Sequence, residues 1–446
     1  MQKYYNIWKE VTVMNLKPSD YNFIYDDLGK DRIVFYNSFT GALAVVKDFQ
    51  YQQFKDYFDS GKEFEDKDFF HQLMACGYIL SSDIDEKFLI KTRMMQGRYD
   101  PRILALTIAP TMACNFRCVY CFEQGHYGNE LMNEATQKSL MAFIERKAAD
   151  VKAISVTWFG GEPLMGFSVI KSLSEKIIKL CEEKEITYSA SIVTNGYLLT
   201  KDIAEKLKDL KVGSVQITLD GPQEIHDSRR PMANGKGTYE TIIKNLQEVQ
   251  GTIPIALRIN VDYNNVSAAD EVMQTLKGLK LDKDIHPYLG LVLPENKRYQ
   301  KEQCFSDEYY SKINLEFLLR HNIPLNSIYP VPRKVCCGAD SYNSWVIDDK
   351  GYLYKCWDDI GIHSCAVGNI NYEISGIRST KLLSGYTAFD PLQKSECSEC
   401  KLLPVCLGGC PHKRLHGLCS CEQWKFSMQD YLLACTKTLL TQKENS

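Results

Sequence analysis

Short apolar runs alternate with amphipathic stretches through the middle of this chain. Residues 104–109, 154–159, 188–194, 214–219, 255–261 and 286–292 are strand-length runs rich in β-branched side chains, while residues 134–148, 169–183 and 238–249 place apolar side chains at helical spacing. Six β-α repeats predict a parallel sheet, because parallel neighbours need a crossover helix and the crossover is right-handed. Strands covered on both faces then curve into a partial (βα)6 TIM-like barrel, an α/β fold whose chemistry sits at the carboxyl ends of its strands.

The flanks read differently. Runs at 22–25, 32–36 and 41–46 are short strands joined by turns at Asp26-Asp27-Leu28-Gly29 and Asn37-Ser38, and helical spacing follows at 48–60 and 68–76. They predict a small α+β unit over residues 1–100, closed by a linker helix. Residues 101–295 then hold the barrel, 296–334 bridge, and 335–446 form a cysteine-rich end.

Composition narrows the class. With 446 residues, 44% of them hydrophobic, the chain can fill about three domain cores. Its 53 basic and 56 acidic side chains leave a net charge of −3, which argues against binding nucleic acid or a membrane surface through an overall positive field. No run approaches the roughly 18 apolar residues needed to span a bilayer, and Met1-Gln2-Lys3-Tyr4-Tyr5-Asn6 lacks the basic start and apolar core of a signal peptide. A cytoplasmic protein is expected.

The cysteines carry the chemistry. Cys114, Cys118 and Cys121 directly follow the first barrel strand, spaced to wrap one face of a four-iron cluster and leave one iron without a protein ligand. A zinc knuckle would need a fourth ligand nearby, and His126, five residues beyond Cys121, is poorly placed for it. Eleven more of the 17 cysteines lie in the last quarter, which suggests metal rather than disulfides in a chain read as intracellular. Cys76, Cys181 and Cys304 stand apart and read as incidental or buried thiols.

The Cys114-x3-Cys118-x2-Cys121 run after the first strand, with Gly160-Gly161-Glu162-Pro163 ending the second, resembles the radical S-adenosylmethionine (SAM) superfamily. The resemblance implies a 4Fe-4S cluster whose open iron chelates SAM, cleaved reductively to a 5′-deoxyadenosyl radical. It implies that Gly160 and Gly161 let backbone carbonyls approach the bound amino group, that Glu162 adds a compensating charge, and that Pro163 stiffens the turn. Tyr120 resembles the position that packs near the adenine. Thr194 and Asn195 end the third strand, Asp220 ends the fourth, and Arg258 with Asn260 forms a polar pair in the fifth. All resemble positions of cofactor contact, and structural hydrogen bonds account for each equally well.

The last quarter resembles the SPASM domain. Cys337-x13-Gly351-x4-Cys356 followed by Cys397-x2-Cys400-x5-Cys406-x3-Cys410 and a late cysteine implies two auxiliary 4Fe-4S clusters. Cys337, Cys356 and Cys410 would hold the first, with a fourth ligand from Cys336, Cys365 or nothing. Cys397, Cys400, Cys406 and Cys421 would hold the second, with Cys419 and Cys435 as alternatives to Cys421. A structural zinc site is the competing reading of this region. Asp358 resembles a catalytic aspartate of sulfatase-maturing relatives, and belongs otherwise to a solvated acidic pair with Asp359.

Residues 1–100 resemble the winged-helix-like leader-peptide recognition domain of peptide maturases, in which a leader adds as a strand to a sheet edge. The implied function is maturation of a ribosomally made precursor peptide through an intramolecular cross-link, thioether or carbon-carbon, with an open auxiliary iron favouring the thioether. Flavodoxin or ferredoxin is the implied electron donor. The rivals are an anaerobic sulfatase-maturing enzyme, which would lack the leader-binding unit, and a zinc-binding scaffold.

Overall fold

The computed structural model describes residues 15–444 apart from 27, 28, 30, 124, 126, 127, 294–298, 375, 419 and 420. The sequence-based readings on Met1 to Asn6, Asp27, Leu28, His126 and Cys419 lie outside the described residues.

The N-terminal unit is built around one strand buried on both faces. Strands β2 (Asn22–Tyr25), β3 (Arg32–Asn37) and β4 (Ala42–Lys47) form an antiparallel meander in that order, while β1 (Leu16–Pro18) pairs with β5 (Ile79–Ser81). One face of β3 presents Ile33 and Phe35 to the helices Asp48–Ser60 and Lys67–Ala75, packing on Phe54, Phe69 and Leu73. The other face presents Tyr36 to Leu315, Leu318, Val405, Trp424 and Leu432. That second contact docks the unit onto the C-terminal third. β1 and β5 escape a periodicity reading because three residues are too few to show alternation.

The linker helix Glu86–Arg98 starts where the Asp85 carboxylate accepts from Phe88 N at 3.0 Å. It ends on Arg98, which is 2% exposed and donates to Asp340 Oδ2 at 3.2 Å. Asp340 also accepts from the amides of Cys336 and Cys337. The helix thus anchors the turn that carries two thiols.

The barrel strands are β6 (Ile103–Ile108), β7 (Ala153–Trp158), β8 (Thr187–Val193), β9 (Val212–Thr218), β10 (Ile255–Val261) and β11 (Ile285–Leu291), parallel and adjacent in chain order. Their outer faces bury Leu104, Leu106, Ile154, Val156, Trp158, Leu257 and Ile259 under the crossover helices. Their inner faces differ from the expectation of strands covered on both sides. Ser155, Thr157, Ser191, Gln216 and Arg258 are only half-buried, and Thr157 Oγ1 meets Ser191 Oγ at 3.2 Å across the lumen wall. Six strands do not close, so layers of bulky side chains do not fill the interior as they do in a complete barrel.

The sheet does not end at residue 295. β12 (Ser344–Ile347) pairs in parallel with β6, and β13 (Tyr352–Tyr354) and β14 (Gly368–Asn369) continue it antiparallel, giving nine strands. The β12–β13 hairpin therefore delivers Cys356, Trp357 and Asp358 to the barrel mouth. The helix Trp424–Glu444, kinked at Ser427, packs on the helix Asp307–Arg320, where Ser311 Oγ donates to Gln423 O at 2.9 Å.

Arg98→Ala is expected to cost about 3–5 kcal/mol of unfolding free energy, because it leaves the Asp340 carboxylate buried without its cation. Denaturant unfolding of the purified protein measures it. A cost below about 1 kcal/mol contradicts the anchoring role.

Candidate active site

Beyond β6 the chain crosses the barrel mouth as the loop that carries Cys114, Cys118 and Cys121. Residues 229–233 clamp this loop along its length: Arg117 N donates to Pro231 O at 2.8 Å, Val119 N to Arg229 O at 3.0 Å and Ala233 N to Asn115 O at 2.8 Å. The three thiols line one cleft with Tyr120, Gly160, Gly161, Thr194, Asn195, Arg258 and Asn260. Burial raises the Cys114 and Cys118 thiols, so a metal is needed to draw off their protons. Among the described residues no three thiols bring their sulfurs within 4.8 Å of one another. A tetrahedral zinc with 2.3 Å Zn–S bonds sets an edge of about 3.8 Å, closer than these three thiols stand as a set.

Gly160-Gly161-Glu162-Pro163 holds the loop in place. A Cβ on Gly160 would lie 2.4 Å from Thr111 O, and one on Gly161 would lie 2.3 Å from Ala113 O. Gly160 also has φ +113°, a region that favours glycine. The sequence reading assigned these glycines to ligand approach; they admit the backbone of the cysteine loop, and their remaining edge faces the cleft. Glu162 likewise sits behind the cleft wall. Its carboxylate is fully buried and accepts from Leu164 N (3.0 Å), Thr194 Oγ1 (2.6 Å) and Asn195 N (2.7 Å). Burial raises this carboxyl, and the three donors oppose the shift. Asn195 Nδ2 donates onward to Asn115 Oδ1 at 2.8 Å, so the ends of β7 and β8 are tied to the cysteine loop through one carboxylate. Pro163 is buried and opens a short 3-10 turn.

Tyr120 is locked at its hydroxyl. It donates to Asp220 Oδ2 at 2.5 Å and accepts from Arg230 Nη1 (2.7 Å) and Asn260 Nδ2 (2.9 Å). Asp220 is fully buried behind this hydroxyl and does not line the cleft. Arg229 braces it, with Nε 3.3 Å from Asp220 Oδ2 and Nη1 2.8 Å from Asp262 Oδ2. Arg230, absent from the sequence-based candidates, is 7% exposed, lines the cleft and has no partner for Nε among the described residues. Its Nη1 bond to Tyr120 aims the guanidinium beside the cysteine loop. Glu123 is a second cleft residue missed from sequence: Oε1 is buried without a partner among the described residues, and burial, then Glu162, push the carboxyl up to about 8.

The far wall comes from the C-terminal third. Phe159 packs on Trp357 with ring centres 4.9 Å apart, and Asp358 lines the cleft beside it. Asp358 and Asp359 are not the solvated acidic pair that the sequence also allowed. Asp359 is 3% exposed, accepts from Tyr386 OH at 2.5 Å, and lies 3.4 Å from His412 Nε2, while His412 Nδ1 lies 3.8 Å from Asp358 Oδ2. Cys356 Sγ is 3.6 Å from Asp358 Oδ2.

The C-terminal thiols fall into neighbourhoods. Burial, with Cys337 adding to it, raises Cys410; burial and Asp358, with Cys410 adding, raise Cys356. Cys397 is raised by burial and then by Cys400, and Cys406 is pushed up to about 12 by burial and Glu422, with Cys421 contributing. Cys435 instead joins the apolar core around Tyr431 and Leu432. Cys336 Sγ faces Glu422 Oε1 at 3.8 Å, and Cys365 neighbours Asp359. Cys181 is buried in the barrel core, as an incidental thiol should be.

Residues 108–276 match the family model of the Radical SAM superfamily, so the chain carries a radical SAM domain and is an enzyme. In sequence it is 24% identical over 359 residues to the radical SAM cyclopropyl synthase TigE of Paramaledivibacter caminithermalis, covering 72% of this chain and 70% of TigE. It is 25% identical over 339 residues to a cysteine-type anaerobic sulfatase-maturating enzyme of Clostridium novyi, covering 69% and 87%. In fold it is similar to native anSMEcpe solved with AdoMet and the Kp18Cys peptide (TM-score 0.58, 20% identity, 75% of this chain and 99% of that chain). It is also similar to SuiB of Streptococcus suis (TM-score 0.51, 14% identity, 91% and 98%). Among the described residues no helix is long and apolar enough to cross a membrane.

Two measurements probe the scaffold of this site. Gly161→Ala is expected to lose about 1–3 kcal/mol of stability because its Cβ meets backbone that cannot yield, whereas Gly278→Ala, helical with nothing within 4 Å, should be neutral or stabilising. Equal effects contradict the close packing. The second concerns His226, which is fully buried, accepts from Asp220 N at 3.2 Å and is held down to about 3 by burial and then by Arg230. An unfolded histidine takes a proton near pH 6.5, so the contribution of this group is present above that pH. It is lost as pH falls toward about 3, by about 1.4 kcal/mol per unit. The urea midpoint should drop between pH 7 and 5.5, and drop less in His226→Asn.

Proposed function

We propose that this enzyme is a radical SAM peptide maturase that abstracts hydrogen from a residue of a ribosomally made precursor and installs an intramolecular cross-link. The observation that carries the reading is the loop of three thiols clamped over an open, polar-lined barrel whose cleft continues to Asp358 beside a second group of thiols. In the bound state, a cluster on Cys114, Cys118 and Cys121 together with SAM supplies a 5′-deoxyadenosyl radical. The residues present fit that pair: half-buried thiols lining one cleft and spread wider than a zinc site, and an Arg230 Nε without a partner among the described residues, suited to the carboxylate of SAM. Tyr120, Asn195 and Asn260 shape the cleft wall against which the nucleoside rests.

Further assignments belong to the same reading. Cys337, Cys356 and Cys410 hold one auxiliary cluster, with Cys336, Cys365 or no protein ligand at its fourth position, and Cys397, Cys400, Cys406 and Cys421 hold another. An open fourth position would favour a thioether product. Asp358 accepts the proton released as the cross-link closes. A leader segment adds to the free edge of β4, where Arg32, Leu43, Val45, Lys47, Thr436 and Leu439 line a groove between that strand and the C-terminal helix. A flavodoxin or ferredoxin supplies electrons. The peptide bound to anSMEcpe supports peptide chemistry, and the SuiB match spans 91% of this chain against 75% for anSMEcpe.

Anaerobically reconstituted protein should bind about twelve irons, three cubes, and the Cys114→Ala/Cys118→Ala/Cys121→Ala variant about eight, with no deoxyadenosine formed from SAM. Co-expression with short open reading frames beside the gene, followed by mass spectrometry, should show one peptide lighter by about two mass units, the signature of one new bond at the expense of two hydrogens. Deoxyadenosine production that survives in the variant overturns the radical assignment. An unchanged peptide mass overturns the cross-link.

A further inference from the structure

Two arginines line the cleft without a carboxylate within 4 Å among the described residues: Arg230 beside the cysteine loop, and Arg258 on β10. Both differ from Arg98 and Arg229, whose buried guanidiniums already hold aspartates. SAM brings one carboxylate, and the orphan Nε of Arg230 sits beside the loop where that carboxylate belongs. Arg258 is left over.

Its surroundings show a built site rather than a stray side chain. Arg258 lies one inner-face step, about 7 Å, below Asn260 along β10, so it stands deeper in the lumen than the residues that lock Tyr120. Its Nε donates to Asn260 Oδ1 at 2.7 Å. Gly290, its neighbour on β11, provides the room: a Cβ there would lie 2.3 Å from Arg258 Nε and 2.9 Å from Cζ, although the backbone at Gly290 has no left-handed requirement. Tyr288, paired with Arg258 in register, commits its hydroxyl to Gln216 Oε1 at 2.6 Å. Asp358 lines the same cleft, with no ion pair to Arg258 among the described residues. A guanidinium so positioned, within reach of the Tyr288 hydroxyl and lining a cleft open to water, suits a planar carboxylate.

We infer that Arg258 is the substrate-reading cation of this barrel: it takes a carboxylate of the peptide undergoing modification, on an acidic side chain or at the C-terminus, while Arg230 serves the cofactor. This replaces the sequence-based placement of Arg258 among the cofactor contacts, and it rests on the peptide-maturase reading. Arg258 is thereby a specificity residue, and an acidic residue near the reacting one becomes a feature of the substrate.

The test uses the anaerobic, SAM-loaded holoenzyme and a library of synthetic hexapeptides in which each Glu and Asp is matched by Gln and Asn, each made with a free and an amidated C-terminus. Wild type should bind its acidic members about tenfold tighter than the amide counterparts. That preference should fall below about twofold in Arg258→Gln and be partly kept in Arg258→Lys. The dissociation constant of SAM should change less than about twofold in Arg258→Gln and rise about tenfold or more in Arg230→Gln. Loss of preference only with C-terminal amidation assigns the terminal carboxylate, and loss only with Gln or Asn assigns the side chain. The proposal falls if Arg258→Gln weakens SAM as much as Arg230→Gln does, or if the acid preference survives in Arg258→Gln. It falls also if wild type binds peptides without preferring acid, an outcome that leaves the peptide reading standing. If no peptide binds while SAM binds normally, this assignment falls, while the peptide-maturase reading is decided separately by the mass of the co-expressed peptide.

Discussion

The contact between the Gly160–Gly161 backbone and the carbonyls of Thr111 and Ala113 sets the geometry of everything around it. No side chain larger than hydrogen fits there, because backbone oxygens stand 2.4 and 2.3 Å from the positions a Cβ would take. The approach brings Glu162 beneath the cysteine loop, where three donors from the ends of β7 and β8 close on one carboxylate. A buried carboxylate with fewer donors would be costly, and with all three it becomes a rivet. The loop that presents Cys114, Cys118 and Cys121 is fixed from below by this rivet and from the side by residues 229–233. Thiols held this way can meet a rigid cluster without first paying the entropy of ordering the loop.

The same logic extends outward through β12. By pairing with β6, the very strand that launches the cysteine loop, β12 ties the C-terminal thiols to the barrel through the sheet itself. Cys356, Trp357 and Asp358 follow on the hairpin, so their distance from the first thiols is set by backbone hydrogen bonds and not by a flexible interface between domains. For chemistry that moves an electron from substrate to an acceptor across the cleft, a fixed separation is the property that matters.

Much of this was legible in the sequence. The runs at 22–25, 48–60 and 255–261 coincide with observed elements, and the other barrel strands are shifted by one or two residues at their ends. Local periodicity suffices there because each element buries one face against its chain neighbour. β12, β13 and β14 are two to four residues long, too short to show alternation, and β12 joins the barrel by pairing with β6, far away in sequence, so no local pattern reports them. The motif glycines and Glu162 stand at the strand end the motif predicts, and the structure adds that the glycines admit the backbone of the cysteine loop, since a sequence shows that close approach is needed but not every backbone that approaches. Arg230 was missed because an arginine after another arginine carries no spacing signal; its meaning appears only when Nε is seen buried and unpaired in the cleft.

The N-terminal unit shows how docking constrains a substrate. β3 is buried on both faces, one in its own core and the other through Tyr36 on the C-terminal helices, and Tyr36 OH donates to Pro330 O within that contact. Lys401 Nζ donates to Asn22 O at 2.9 Å, and Lys91 pairs with Asp390 at 2.7 Å. Exposed pairs of this kind add little, whereas the aromatic burial resists separation. The free edge of β4 is therefore held at a set position relative to the barrel mouth. On the proposed reading, a leader bound along that edge would not carry its core segment into the cleft by domain motion; the chain between them would have to span the gap, which would make the number of residues separating leader from reacting residue a property selected by the enzyme.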